Sequence, residues 1–245
     1  MIRFATINIQ GDTYLDSVVP FLSNFKPDVV CFQEIVETSV PFFEKKLGMK
    51  GYFVPVTIHY AKPFDASSPV GTIGVGLFSS LPVTDVCKDY YVGGEGDIPR
   101  LVSGKLNSSV WHAILRGTIH KNNEKYVVAT THFTWTHDGS TSDKQREDLV
   151  NLLKITEKNN ELILCGDFNA PRGQEIFGKL SEKYKDNIPL EYTSSLDTEL
   201  HRIGKIKQLM VDGLFTTPHY KVTEAKLSEG VSDHKAVTAI ISKVK

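Results

Sequence analysis

Short apolar runs recur along the chain and predict β-strands that are buried in a core. Residues 126–131 and 162–166 are almost unbroken apolar runs, whereas residues 111–119 alternate between apolar and polar side chains. Further strands are predicted over residues 2–7, 28–32, 74–78, 209–211 and 237–241. Nearly continuous apolar strands are typical of sheets that are covered on both faces.

Three segments carry apolar residues at the spacing of an α-helix. These residues are Leu15, Val18, Val19, Leu22 and Phe25, then Val40, Phe43 and Leu47, then Leu149, Leu152, Leu153 and Thr156. Ser142 and Gln145 have the spacing of a capping box and predict the start of the third helix. Strands and helices are interleaved without strict alternation, a pattern that suits two sheets packed face to face with helices outside.

Four polar stretches that contain glycine or serine predict long loops, over residues 59–70, 88–110, 133–142 and 184–207. Loops of this length in a compact domain are usually functional or disordered. Three of them adjoin predicted strand ends, so we expect them to bind substrate. No stretch of linker composition divides the chain, which predicts a single domain over residues 1–245.

Charge and cysteine content narrow the choice of partners and compartment. The net charge is −1 and the pI is about 6.7, so the chain as a whole has no electrostatic signature of nucleic-acid binding, although a local groove can still be basic. Cys31 and Cys165 lie within apolar runs, where a free thiol behaves as a small hydrophobe. No apolar run approaches the length of a membrane span. We therefore expect a soluble, cytoplasmic protein of a reducing compartment.

Polar side chains follow the predicted strands at the points where the strands end. Four of them are the carboxylates Glu34, Asp167, Asp212 and Asp233. If these ends share one rim, the carboxylates raise one another's pKa unless a cation neutralises them. Such an oxygen-rich site suits Mg²⁺, with Mn²⁺ as a substitute. Zinc is disfavoured because no pair of cysteines or histidines has zinc-binding spacing.

Each of these residues also has a simpler interpretation when it is taken alone. Asn8 suits a turn, Glu34 a helix cap, and His132 a buried core position. Asp212 followed by glycine suits a turn, and Asp167 with Asn169 suits an Asx turn. All of them in this order are difficult to explain by chance, so the functional interpretation is favoured for the set.

The order of these residues resembles that of the endonuclease/exonuclease/phosphatase superfamily. The matching motifs are Asn8, Gln33-Glu34, Thr131-His132, Gly166-Asp167-Phe168-Asn169, Val211-Asp212 and Ser232-Asp233-His234. The resemblance extends over residues 2–241, and six short motifs in order are far more specific than any one of them. It implies a four-layer α/β sandwich, two packed sheets flanked by helices, and the hydrolysis of phosphoesters with a divalent metal.

The resemblance also implies roles for individual side chains. Glu34 would be the principal metal ligand, with Asn8 and Asp233 beside it, directly or through water. Asp167 would orient or deprotonate the attacking water, and Asn169 would hold the phosphate and that water.

Two histidines complete the implied catalytic set. His132 would donate to a non-bridging oxygen, and His234, oriented by Asp212, would stabilise the charge that develops on the phosphoryl oxygens. One departure is visible, because some members of the superfamily carry an acid two residues beyond the asparagine, where this chain has Gln10. A neutral amide there would weaken metal binding or leave a single ion.

The substrate is the least readable property of the sequence. Residues that could contact it lie in the predicted loops and at the third helix: Arg100, Trp135, Arg146 and Arg202. Each also has a simpler interpretation as a packed or solvated side chain. We expect a nucleic-acid substrate, DNA first. The alternatives are a small phosphorylated metabolite or lipid headgroup, and, disfavoured because no catalytic residue is lost, a non-catalytic binding module.

Overall fold

The computed structural model describes residues 1–59, 70–102, 104–137 and 139–244. The described residues form twelve strands: β1 (Ile2–Asn8), β2 (Val29–Val36), β3 (Lys50–His59), β4 (Gly71–Ser79), β5 (Val83–Val92), β6 (His112–Lys121), β7 (Glu124–His132), β8 (Ile163–Asp167), β9 (Lys185–Asp186), β10 (Asp212–Thr216), β11 (Tyr220–Ser228) and β12 (Ala236–Lys243). They also form five α-helices: α1 (Leu15–Phe25), α2 (Val40–Leu47), α3 (Leu106–Ser109), α4 (Asp143–Thr156) and α5 (Glu175–Lys183). A short 3₁₀ turn, Glu37–Ser39, precedes α2.

The strands form two six-stranded sheets within the described ranges. The spatial order is β11-β12-β1-β2-β4-β3 in the first sheet and β5-β6-β7-β8-β10-β9 in the second. Each sheet contains one parallel pair, β1 with β2 and β7 with β8, and antiparallel neighbours elsewhere. Each parallel pair therefore brings two strand ends to one edge of its sheet.

Three layers of apolar contact hold the sandwich together. Phe4, Leu115 and Cys165 belong to the core between the two sheets. Leu22 of α1 packs on the outer face of the first sheet, and Leu152 of α4 packs on the outer face of the second. The four-layer α/β sandwich predicted from the sequence is thus confirmed, and its central strands are apolar on both faces because both faces are covered.

The start of α4 follows the predicted cap. The N–H of Gln145 donates to Oγ of Ser142 at 3.1 Å, which satisfies one of the free donors of the first turn. Helices α1 and α2 also cover the predicted apolar positions.

Two predictions of secondary structure are wrong. The loop predicted over residues 88–110 begins later, because β5 continues to Val92 as a polar edge strand beside β6. The strand predicted over residues 209–211 is irregular, and β10 begins at Asp212 instead. The N–H groups of Val211 and Asp212 both donate to Oγ of Ser195 at 3.0 Å, so at Val211 this hydroxyl takes the place of a ladder partner.

Of the loop predicted over residues 59–70, residues 60–69 lie outside the described part of the chain.

Among the described helices, none is long and apolar enough to cross a bilayer.

Candidate active site

The ends of the two parallel pairs face each other across the sandwich. Asn8 is in register with Gln33 in the first sheet, and His132 is in register with Asp167 in the second. Nδ2 of Asn8 donates to Oε1 of Glu34 and to Oδ2 of Asp167, at 3.1 Å in each case. Nε2 of His132 lies 3.5 Å from Oδ2 of Asp167 and 3.8 Å from Oε1 of Glu34. Both sheets therefore contribute to one polar site.

A bulge in β2 directs Glu34 towards this site. The register between β2 and β4 shifts between Phe32 and Ile35, and Glu34 has a φ of 57°. A bulge re-aims the side chains of a strand, and a left-handed conformation at a residue other than glycine is a strained one. The preceding Gln33 points into the core instead, where Nε2 donates to Oγ1 of Thr6 and of Thr130.

The turn after β8 holds Asp167 and Asn169 in a fixed relation. The N–H of Asn169 donates to Oδ1 of Asp167 at 2.8 Å, and Nδ2 of Asn169 donates to the carbonyl of Phe133 at 2.9 Å. Asn169 has a φ of 48°, a conformation that asparagine tolerates. The Asx turn considered for this pair is therefore present, and it is the feature that leaves Oδ2 of Asp167 facing the site.

Glycine is required immediately before this turn. Gly166 has a φ of 141°, and a Cβ atom there would lie 1.9 Å from the carbonyl oxygen of Thr131 on the neighbouring strand. Only glycine allows β7 and β8 to approach this closely.

His234 and Asp212 form a buried pair on the other side of Asp167. Nδ1 of His234 lies 2.7 Å from Oδ2 of Asp212, and Nε2 of His234 lies 3.7 Å from Oδ2 of Asp167. Burial alone would lower the pKa of His234, but the charges of Asp212 and Asp167 outweigh it and raise this pKa well above its ordinary value. Nε2 of the ring faces Asp167, and the two carboxylates favour the protonated form of the ring.

Asp233 adds a third carboxylate beside Glu34 and Asp167. Its side chain is buried, and burial, reinforced by the charge of Glu34, raises its pKa to about 6. Like charges at this density favour an added cation. Three carboxylates and an amide are also the oxygen donors that a hard divalent ion prefers, so the residues present fit Mg²⁺ or Mn²⁺. Direct ligation by Asn8 requires the opposite orientation of its amide, because its Oδ1 now accepts from the N–H of Gln10 at 3.2 Å.

Two groups of side chains in the described residues have the spacing to hold an ion. Asp167, Asp212 and His234 form one group, and His201, Asp233 and His234 form the other, with the ligand atoms of each group within 4.8 Å of one another. Glu34 belongs to neither group. It shares the amide of Asn8 with Asp167, so its closest polar neighbours lie on the Asn8 side of the site.

A layer of buried polar residues fixes the loop that follows His132. Nε2 of Gln145 donates to the carbonyls of Thr134 and Asn169, at 2.7 and 3.2 Å. Nδ1 of His112 lies 2.9 Å from the carbonyl oxygen of His132, and burial lowers the pKa of His112 to about 4. These contacts set the backbone on which His132 and Asn169 are mounted.

The four residues expected to contact substrate have different surroundings. Arg146 donates to Asp143 and, through two nitrogens, to Glu175, so its charge is already paired. Arg100 is exposed, and its backbone forms an isolated bridge with Ile58. Trp135 is 40% exposed on the loop after His132, and Arg202 is exposed beside His201. None of these four is in hydrogen-bond contact with the carboxylates just described, as far as the structure describes them.

Sequence reasoning did not assign two residues of this region to the site. Ser195 accepts from the backbone at Asp212, and the ring of His201 packs edge-on against His234, with centroids 5.7 Å apart. Both lie in the long segment before β10, which carries no periodic pattern. The only available signal was the presence of a histidine shortly before the Asp212 motif.

The two-sheet α/β sandwich agrees with a family match that assigns the chain to a class of phosphoester hydrolases and nucleases. Residues 5–234 match the model of the Endonuclease/Exonuclease/phosphatase family, and the chain belongs to that family. The resemblance inferred from the motifs is thereby confirmed. No curated protein matches the chain.

Solved structures share the fold at low sequence identity. An endonuclease/exonuclease/phosphatase from Bacteroides vulgatus is 16% identical with a TM-score of 0.73, and the match covers 99% of each chain. The human Nocturnin catalytic domain with a bound sulfate anion is 19% identical with a TM-score of 0.66, over 99% of this chain and 94% of that one. A mannosyl-6-phosphatase from Bacteroides thetaiotaomicron is 13% identical with a TM-score of 0.68, over 99% and 100%. At these identities the likeness shows the fold alone.

Proposed function

We propose that the protein is a divalent-metal-dependent phosphoester hydrolase that uses Mg²⁺ first and Mn²⁺ as a substitute. The observation that carries this proposal is the position of Asp167. Its buried carboxylate lies between Asn8, His132 and His234, and the same oxygen, Oδ2, faces all three. A carboxylate held among donors in this way is suited to orient a water molecule and to take its proton.

Glu34, Asn8 and Asp233 would hold the metal ion. When bound, such an ion neutralises phosphoryl charge and lowers the pKa of water. Asp167 accepts the proton of the attacking water, whose oxygen forms the new bond to phosphorus while the ester P–O bond breaks. The leaving oxygen departs with the bonding electron pair and takes up a proton to become the alcohol. His132 and His234 donate to the phosphoryl oxygens, and Asn169 holds the phosphate and the water. Preorganised donors of this kind stabilise the charge of the transition state.

The test of this reaction is metal-dependent hydrolysis by the wild-type protein and by Asp167→Asn. We expect Asp167→Asn to lower turnover by roughly 10²-fold or more with the fold intact, because the variant loses its proton acceptor. Removal of metal by EDTA should abolish wild-type activity, and Mg²⁺ should restore it. A variant that keeps wild-type turnover would overturn the role of Asp167.

We propose nucleic acid, with DNA first, as the substrate class. The exposed ring of Trp135 supports this choice, because it follows the segment that carries His132 and could stack on a base. Cleavage of supercoiled and of single-stranded DNA with Mg²⁺ tests the proposal, with Asp167→Asn as the control. Trp135→Ala should weaken binding of single-stranded DNA by roughly tenfold.

The ion pairing of the basic side chains favours a second candidate, a small phosphorylated metabolite or lipid headgroup. Arg146 is paired with Glu175, Lys205 with Glu199 and Lys235 with Glu229, so neighbouring carboxylates offset the charges that would attract a polyanion. A mannosyl-6-phosphatase also shares the fold. The salt dependence of KM separates the two candidates, since affinity for a polyanion falls steeply with salt and affinity for a small ester does not.

A further inference from the structure

We propose that His201 is a further substrate-contacting residue, whose Nε2–H group donates a hydrogen bond to a phosphoryl oxygen beside His234. The proposal rests on the phosphoester hydrolysis proposed above and adds a donor that the family motifs do not include. Its ring packs edge-on against His234, with an interplanar angle of 80°. One ring nitrogen of each histidine and a carboxylate oxygen of Asp233 lie within 4.8 Å of one another.

The tautomer of His201 is fixed by its own turn. Nδ1 accepts a hydrogen bond from the N–H of Ile203 at 3.2 Å. An accepting ring nitrogen carries no proton, so a neutral His201 carries its proton on Nε2. The ring is therefore a fixed, uncharged donor.

The segment that carries His201 is tied to the catalytic segment by its backbone. Leu196 forms a bridge with His234, and the N–H of Lys235 donates to the carbonyl of Ser195 at 2.7 Å. The N–H of Asp197 donates to the carbonyl of Asp233 at 2.8 Å. His201 is consequently held in a constant relation to Asp233 and His234 rather than at the tip of an independent loop.

Asp197 closes the turn on which His201 lies. Its Oδ1 accepts from the N–H groups of Glu199 and Leu200, and its Oδ2 accepts from the N–H of Gly230. Burial alone would raise the pKa of Asp197, but these three donors lower it below its ordinary value. A Cβ atom at Gly204 would lie 1.9 Å from the carbonyl oxygen of Asp197, so the turn also needs this glycine. The backbone on which His201 lies is therefore closely held.

A phosphate that accepts from His234 would lie within reach of His201 as well. The two rings would then donate to neighbouring oxygens of the same phosphate. A fixed neutral donor also costs less desolvation than a buried cation would at the same place. It also adds to the preorganised polar surface that stabilises a transition state.

The test uses inorganic phosphate as the probe, in the presence of Mg²⁺, together with hydrolysis of bis(p-nitrophenyl) phosphate. His201→Leu removes the donor and keeps much of the bulk, His201→Gln keeps an N–H donor near the position of Nε2, and the exposed His219→Leu is the control. We expect the Kd for phosphate to rise roughly tenfold in His201→Leu. It should return close to the wild-type value in His201→Gln, and His219→Leu should match the wild type. kcat should fall with the same pattern while KM changes less.

Two results would overturn the assignment. One is a His201→Leu variant that binds phosphate and turns over as the wild type does. The other is a His201→Gln variant that is impaired as strongly as His201→Leu, which would indicate a packing role. If the wild-type protein is active, either result contradicts only the role of His201. If the wild-type protein neither binds phosphate nor hydrolyses any ester, both the proposed function and this inference are contradicted.

Discussion

Oδ2 of Asp212 accepts a hydrogen bond from Nδ1 of His234 at 2.7 Å, and both side chains are buried. An ionised carboxylate has no proton to give, so the contact fixes a proton on Nδ1. In the antiparallel register of β8 and β10, Asp212 lies directly opposite Asp167. Asp212 thus orients the imidazole, and Oδ2 of its cross-strand neighbour Asp167 lies 3.7 Å from the other ring nitrogen, Nε2.

Replacement of this aspartate tests the pair. Asp212→Asn should lower kcat by roughly 10²-fold or more, because an amide permits the wrong tautomer of His234 and no longer stabilises its charge. Asp85→Asn is a matched control, since Asp85 is exposed and its left-handed backbone suits asparagine. Turnover of both variants on one phosphoester is the measurement, and equal rates would exclude an orienting role for Asp212.

Glu34 provides a prediction about metal affinity. Glu34→Gln should raise the Mg²⁺ concentration that gives half-maximal activity by roughly tenfold or more, because the variant removes one negative charge from the ligand set. A Mg²⁺ titration of activity measures this, and Glu37→Gln, three residues away on the 3₁₀ turn, is the control. An unchanged Mg²⁺ requirement would place the ion elsewhere.

Gln145 links the two loops of the site. Gln145→Leu should lower the free energy of unfolding by about 1–3 kcal/mol, because the carbonyls of Thr134 and Asn169 lose a buried donor. It should also lower kcat through the displacement of Asn169. Denaturant unfolding measures the first effect, with the exposed Gln174→Leu as the control. Stability equal to the wild type would show that water replaces the amide.

His112 predicts a dependence of stability on pH. Its pKa is about 4 in the folded protein and near 6.5 in the unfolded chain, so between these values the unfolded state binds more protons. Stability should therefore fall as the pH decreases from 6.5 to 4, by up to ~3 kcal/mol from this residue. His112→Phe keeps the ring and removes the titration.

The quantity to compare is the slope of the free energy of unfolding against pH. Absolute stabilities are less informative, because the variant also loses the hydrogen bond to the carbonyl of His132. Denaturant unfolding of the wild type and of His112→Phe at several pH values gives the two slopes. The same slope in both proteins would mean that His112 titrates normally in the folded state. His219→Phe, an exposed site, should leave the slope unchanged.

The central strands could be predicted, and the edge strands could not. β1, β7 and β8 are buried on both faces, so burial alone selects apolar residues for them. β5 and β11 are edge strands with one solvated face and one neighbour, and their sequences are correspondingly polar. Their strand conformation is imposed by pairing with β6 and β12, which no local pattern encodes.

The sequence by itself determined the family, the order of the motif residues and the strand ends that carry them. Asn8, Asp167 and His234 could be named because each lies in or beside a short motif next to an apolar run. The tertiary structure alone decided the bulge that turns Glu34 into the site, the pairing of Arg146 with Glu175, and the contact of His201 with His234. His201 and His234 are 33 residues apart in the sequence, and Arg146 and Glu175 are 29 residues apart. Such contacts depend on the packing and backbone geometry of distant segments, and the local sequence around each residue does not encode them.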